Sequence, residues 1–253
     1  MSYMSKYDLS GRRALVTGAG QGIGEACAAA LAEAGAHVVV TDLNGARAKA
    51  AAERLAAKGG KAEAHQLDVT DTAALTTLAA SQPALDILVC NAGIASNTPA
   101  EDVSDEEWDR VIGINLTGVF KTCRAFGRKM LEAGRGSIVN IGSMSADIVN
   151  TPQPQCHYNA SKAGVHHLTR SLAVEWALRG VRVNAVAPTY IETPLLANLE
   201  DSKGMVDRWI DLTPMKRMGQ PDEIASVVLF LASDASSLMT GSIVSADAGY
   251  TSI

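Results

Sequence analysis

The sequence predicts a single-domain α/β protein built on a doubly wound, parallel sheet of seven strands. Three observations carry that expectation. Short β-branched runs alternate with Ala/Leu-rich amphipathic stretches along the whole chain of 253 residues. The runs are almost wholly apolar, as in strands covered on both faces. No internal repeat, low-complexity tract or Pro/Ser-rich linker breaks the alternation. Strands that alternate with helices pair in parallel through helical crossovers.

Taken in order, Ala14 to Thr17 leads into a helix over Gly22–Ala34, and His37 to Asp42 into one over Ala46–Ala57. Ala64 to Val69 leads into Ala73–Ala80, and Asp86 to Cys90 precedes one long helix, Asp105–Leu131. Ser137 to Ile141 is followed by Cys156–Leu178, then Val181 to Val186, Asp222–Leu231 and a last strand from Ser242 to Ser245. Ser104-Asp-Glu-Glu107 reads as a capping box that opens the long helix. Pro221-Asp222-Glu223 places a proline and two acids in a first helical turn, where the missing N–H costs little and the dipole favours negative charge. The stretch from Thr189 to Thr213 follows neither period, and its length suggests a substrate lid over the carboxyl edge of the sheet.

Composition excludes several classes. The chain is 47% hydrophobic and 19% charged, with a net charge of −5, so it lacks the basic field that holds a nucleic acid. Its longest uncharged apolar stretches fall far short of the roughly 20 residues of a membrane span. The first residues carry no apolar signal-peptide core. Four scattered cysteines, Cys27, Cys90, Cys123 and Cys156, form no Cys-x-x-Cys pair and suit a reducing cytoplasm. No metal site is expected: there is no His-Glu-x-x-His, and His166-His167 diverge by about 100° on a helix.

Thr17-Gly-Ala-Gly-Gln-Gly-Ile-Gly24 follows the first strand and opens a helix. Gly18, Gly22 and Gly24 allow a tight turn and a close backbone approach to a pyrophosphate at the helix N-terminus, with Gln21 and Ile23 inside the turn. Asp42 ends the second strand, where a carboxylate can accept both ribose hydroxyls of NAD and would repel the 2′-phosphate of NADP. Neither Leu43 nor Asn44 supplies a compensating cation, although Arg47 lies one turn into the next helix. NAD is the expected cofactor.

Tyr158-Asn-Ala-Ser-Lys162 spans about one helical turn, so the phenol and the ammonium share a face. A tyrosine with its ordinary pKa of about 10 is a poor base at neutral pH. A nearby ammonium and an oxidised nicotinamide both favour the phenolate.

The ordered set of the glycine turn, Asn91-Ala-Gly93, Asn115, Ser145 and Tyr158-x-x-x-Lys162 resembles the short-chain dehydrogenase/reductase family over essentially the whole chain. The resemblance implies a Rossmann-like sheet of order 3-2-1-4-5-6-7 and assembly as a homotetramer. It implies Tyr158 as general acid/base, Lys162 as the group that holds the ribose and lowers the tyrosine pKa, and Ser145 as hydrogen-bond partner of the substrate oxygen. Asn115 would hold a water that links Lys162 to solvent. For the cofactor it implies Gly18, Gln21, Gly22, Ile23, Gly24, Asp42 and Leu43, then Asp68-Val69 at the end of the third strand. Asn91, Ala92, Gly93, Tyr158, Lys162, Pro188, Ile191 and Thr193 complete that set. Thr189 stands where glycine is common after the proline, and a β-branched residue resists positive φ, so the turn must take another conformation or narrow the site. Ala248 likewise replaces a frequent glycine.

Gly142-Ser-Met-Ser145, Ile148-Val-Asn150, Pro152-Gln153 and Ala248-Gly-Tyr250 resemble the NAD-dependent galactitol and related sugar-alcohol dehydrogenases. This implies oxidation of a secondary hydroxyl of a polyol to a ketose, with Ser143, Ser145, Asn150 and Tyr158 toward the substrate. Asp147, Gln153, Gln155 and His157 add hydrogen-bonding groups, as do Glu192, Asp207, Arg208, Trp209 and Asp211 in the lid segment. The competing enzyme is a 3-oxoacyl-[acyl-carrier-protein] reductase, with Lys121, Arg124, Arg128 and Lys129 as a face for an acidic carrier. A catalytically silent NAD-binding module predicts damage to Ser145, Tyr158, Lys162 or Asn115, and all four are intact. A sugar-nucleotide epimerase would need more chain after Lys162.

Overall fold

The structure is a computed structural model that describes residues 2–194 and 202–253. Its seven strands are β1 (Arg13–Thr17), β2 (His37–Asp42), β3 (Lys61–Gln66), β4 (Ile87–Cys90), β5 (Gly136–Ile141), β6 (Val181–Pro188) and β7 (Ile243–Ala246). They form one parallel sheet in the order β3-β2-β1-β4-β5-β6-β7, which agrees with the expected topology. The order reverses between β1 and β4, and α/β sheets bind ligands at such a switch point, outside the carboxyl ends of the strands.

Helices α1 (Gly22–Glu33), α2 (Gly45–Ala57) and α8 (Pro221–Ala232) cover one face through Leu31, Leu55, Val228 and Leu231. Helices α3 (Thr72–Ser81), α5 (Gly118–Ala133) and α6 (Cys156–Trp176) cover the other through Leu75, Phe126, Met130 and Leu172. The starts of α2 and α3 are capped by short polar side chains. Asn44 accepts from the Arg47 amide at 3.1 Å, and Asp71 from the Ala73 and Ala74 amides at 2.8 and 3.0 Å. The Ser104 box is half made: Ser104 accepts from the Glu107 amide, while the Glu107 carboxylate turns instead to Thr98 and His157. No helix among the described residues is long and apolar enough to cross a membrane.

Three sequence expectations are corrected. The third strand ends at Gln66, so Asp68 and Val69 lie in the following loop, where Asp68 accepts from the Thr70 amide and hydroxyl at 2.8 and 2.7 Å and turns the chain. The long helix is not continuous. Helix α4 (Asp105–Ile112) passes through a π-helical turn, Gly113–Thr117, into α5, and that turn carries Asn115. The segment over 189–213 contains a helix, α7 (Ser202–Leu212), and its residues 195–201 lie outside the described ones.

Candidate active site

The carboxyl ends of β1, β4, β5 and β6 open onto a cleft of about 500 Å³. At its floor, Asn91 donates from Nδ2 to the carbonyls of Thr17 and Gly18 at 2.9 and 3.0 Å. The Thr17 hydroxyl accepts from the Asn91 and Ala92 amides at 3.0 and 3.1 Å. These bonds fasten the end of β4 to the glycine turn. Gly18 and Gly22 have φ of +62° and +60°, the left-handed region that favours glycine. A Cβ on Gly18 would lie 2.9 Å from Ala92 Cα, and one on Gly24 would overlap the Gly18 carbonyl. The turn packs this tightly against the end of β4 only because it lacks side chains there, and it leaves a backbone cradle at a helix N-terminus.

Asp42 closes one end of the cleft. One carboxylate oxygen accepts from the Gly20 amide at 3.0 Å and the other from the Asn44 amide at 2.9 Å. Each oxygen keeps a lone pair for a ribose hydroxyl. Leu43, Arg47, Asp68 and Val69 line the same end. Gln21, Gly22 and Ile23 line the middle, and Thr193 comes within 3.4 Å of where a Gly22 Cβ would stand. Pro188 and Ile191 line the opposite side, and Thr189 takes no positive φ, as its β-branch requires. The Thr189 hydroxyl is buried without a hydrogen-bond partner among the described residues. Ala248 does adopt positive φ, +54°, as a glycine would. These residues fit a nicotinamide dinucleotide.

Helix α6 brings Tyr158 and Lys162 together as the four-residue spacing requires, with Lys162 Nζ 5.6 Å from the phenol ring centroid. Lys162 is buried and donates to the Ile141 carbonyl at 2.8 Å. Burial without an anionic partner lowers its pKa from 10.5 to about 8. Burial raises the Tyr158 pKa, with the Ser143 hydroxyl beside it pulling the other way. The phenol is thus protonated in the free protein. Ser143 is the serine beside the phenol; it donates to Ser145 Oγ at 2.9 Å and accepts from the Ser145 amide at 3.1 Å, which makes Ser145 the next along the chain of hydroxyls.

Asn115 is fully buried, and both amide hydrogens are committed. Nδ2 donates to the Ile94 carbonyl at 2.9 Å and to Ser161 Oγ at 3.2 Å, while Oδ1 accepts from the Ile94 amide at 2.9 Å. The side chain thus pins the segment after β4 to α6, and only one Oδ1 lone pair is left for a water. A Cβ on Gly93 would stand 3.2 Å from that oxygen and 3.8 Å from Lys162 Nζ. The bare glycine leaves the space between them open.

Of the polar residues expected near the substrate, Asn150, Gln153 and Gln155 are buried and line the cleft, whereas Glu192, Asp207, Arg208 and Asp211 are exposed. Asp147 lies beside the buried His166, 3.5 Å from Nδ1. His157 is buried against Ser96, 2.7 Å from Nε2, and Glu107, and fastens the loop after β4 to the start of α6. Tyr190 and the Ile94–Asn97 loop are cleft residues that the motifs do not reveal. Two of the four basic residues on α5 are tied inward: Lys121 donates to the Thr70 carbonyl, and Lys129 to those of Ala80 and Gln82.

A family described as "Enoyl-(Acyl carrier protein) reductase" matches residues 18–251. A galactitol 2-dehydrogenase of Rhizobium johnstonii is 54% identical, over 99% of this chain and 99% of its own. A galactitol 2-dehydrogenase (L-tagatose-forming) of Cereibacter sphaeroides is 46% identical over the same shares. The crystal structure of gox2181 is 52% identical, covers 100% of both chains and superposes with a TM-score of 0.97. A gluconate 5-dehydrogenase of Burkholderia cenocepacia J2315, solved with NADP and tartrate, is 37% identical over 100% of both chains, with a TM-score of 0.93. Sheet order, glycine turn and full-length likeness agree, and the chain belongs to the short-chain dehydrogenase/reductase family.

Proposed function

We propose that this enzyme is an NAD-dependent dehydrogenase that oxidises a secondary hydroxyl of a polyol to a ketose. The observation that carries the reading is a single cleft that runs from the Asp42 carboxylate over the glycine cradle to Tyr158, Lys162 and a wall of buried amides. The polyol dehydrogenases among the relatives support the substrate class. The amide wall suits a hydroxylated ligand, because a site built around hydrogen bonds rejects analogues that lack them. The inward ties of Lys121 and Lys129 weaken the case for an acidic carrier protein.

Gly18, Gly22 and Gly24 would hold the pyrophosphate and Asp42 the adenosine ribose, with Pro188, Ile191 and Thr193 beside the nicotinamide. The chemistry supplied by bound NAD is acceptance of hydride from the carbinol carbon. Tyr158, as phenolate, takes the hydroxyl proton, and the Ser143 hydroxyl beside it donates to the same oxygen as it becomes a carbonyl, with Ser145 the next hydroxyl behind it. The Lys162 ammonium and the positive charge of the oxidised cofactor must together outweigh the burial that holds the phenol protonated. Asn115 fixes Ile94 and offers one Oδ1 lone pair to a water that reaches Lys162 past Gly93.

Asp42 favours NAD by repelling a 2′-phosphate. The segment 189–213 carries Trp209 onto the substrate side and serves as the lid. Assembly as a homotetramer and a cytoplasmic place in carbohydrate metabolism belong to the same reading. Exposed Phe120 and Val174 on α5 and α6 supply apolar surface for subunit contact, and all four cysteines are free thiols. A panel of polyols offered with NAD and with NADP, followed as reduced-cofactor absorbance, tests it: turnover of a hexitol or tetritol with NAD is expected, and no turnover of any polyol would refute it.

A further inference from the structure

The substrate side of the cleft carries a hydroxyl whose hydrogen bonds do not balance. A phenol has one proton to give and two lone pairs. Tyr190 Oη accepts from Asn150 Nδ2 at 2.9 Å and from Gln153 Nε2 at 3.2 Å, so both lone pairs are filled. The orientation of Gln153 is fixed, because Trp209 Nε1, which can only donate, reaches its Oε1 at 2.9 Å. Asn150 Oδ1 accepts in turn from Gln155 Nε2 at 2.9 Å. Among the described residues no hydrogen bond of ordinary length takes the Tyr190 proton, and the protein group that competes for it is the Tyr250 hydroxyl, close enough to raise the Tyr190 pKa. Burial pushes the Tyr190 pKa up to about 12, so at neutral pH the proton stays on.

The ring cannot swing to find a partner. It stacks on Trp209 with centroids 4.0 Å apart and 7° between planes, and Tyr250 meets it edge-on at 5.8 Å. Tyr190, Asn150, Gln153 and Trp209 line the cleft that holds Tyr158. All four are at least nine-tenths buried. Asn150 and Gln153 each use one amide hydrogen on Tyr190 and keep a second. The wall therefore presents the Tyr190 hydroxyl and two amide hydrogens as donors, beside one remaining lone pair on each of Asn150 Oδ1 and Gln153 Oε1.

We infer that Tyr190 is a specificity-determining residue whose hydroxyl donates to a substrate oxygen away from the carbon being oxidised. Resting on the polyol reading, this deepens it: the ligand must carry an acceptor oxygen along its chain, a polyol hydroxyl or a terminal carboxylate. A wall that only held α7 in place through Trp209 would treat all substrates alike.

The test measures kcat and KM of the full-length enzyme and of Tyr190→Phe with NAD on a hexitol, the matching hexonate and hexane-1,2-diol, which lacks the distal oxygens. Tyr190→Phe keeps the ring and its stacking. It is expected to lower kcat/KM about tenfold on the oxygen-rich substrate, mainly through KM, and to leave the diol unchanged. An equal loss on every substrate, or no loss on the hexitol and hexonate, would overturn the assignment. So would a Tyr250→Phe variant that reproduces the loss, since Tyr250 would then be the acceptor of the Tyr190 proton. If the wild type oxidises the hexonate and not the hexitol, the polyol reading fails while the role of Tyr190 is judged on the hexonate; turnover of neither refutes both.

Discussion

Replacing Lys162 by Met should make the protein more stable while removing its activity. The amine is buried, its one hydrogen bond among the described residues goes to the Ile141 carbonyl, and its pKa falls from 10.5 to about 8. At about 1.4 kcal/mol per tenfold, that drop corresponds to about 3 kcal/mol by which the folded protein disfavours the charged amine. The sign follows from proton linkage. The unfolded chain binds this proton more tightly, so the penalty is complete below about pH 8 and vanishes as pH rises to about 10.5. Met fills the same volume without the charge, and the unpaired Ile141 carbonyl takes back about 1 kcal/mol. The net gain at neutral pH is about 2 kcal/mol, or roughly 6 °C in Tm for a chain of this size. Thermal unfolding of both proteins without cofactor, from about pH 7 to about pH 10.5, measures it. The gain should shrink as pH rises; a variant less stable than wild type by the same amount at every pH would refute the reasoning.

Two further outcomes follow from the geometry. Asp42→Ala removes the carboxylate at the ribose end of the cleft and should raise NADP turnover relative to NAD by about tenfold or more, since juxtaposed like charges cost several kcal/mol; an unchanged ratio from steady-state kinetics would move the discrimination to another residue, such as Arg47. Gly93→Ala places a methyl between Asn115 Oδ1 and Lys162 Nζ. It should lower kcat roughly tenfold by displacing a bridging water, beyond any change in NAD affinity read by fluorescence titration; wild-type kcat would remove the water from the proton path.

The parts of the molecule legible in the sequence are those fixed by local spacing. Strand β2 is read residue for residue, because His37–Asp42 is a β-branched run buried nearly throughout. Tyr158 and Lys162 meet because four residues make one turn. The misses have longer-range causes. Strand β3, Lys61–Gln66, lies at the sheet edge, and its four middle residues, Ala62 to His65, are all half-buried whether apolar or charged, so its pattern is faint. The apolar signal came instead from Leu67 and Val69, buried beside the cleft. The π-helical turn at Asn115 leaves no mark, since no proline interrupts Gly113–Thr117 and its cause is the tie from Asn115 to Ile94 and Ser161. Tyr190 was hidden because its partners, Asn150 and Gln153, lie 40 and 37 residues away.

The central claim is that the Tyr158 hydroxyl carries the reacting proton beside a bound dinucleotide. Tyr158→Phe tests it most directly, through two numbers from one preparation: the rate of NADH formation from a polyol and the dissociation constant for NAD. A fall in turnover of at least about a hundredfold, with NAD affinity close to wild type, is the predicted result. Turnover near the wild-type rate would contradict it.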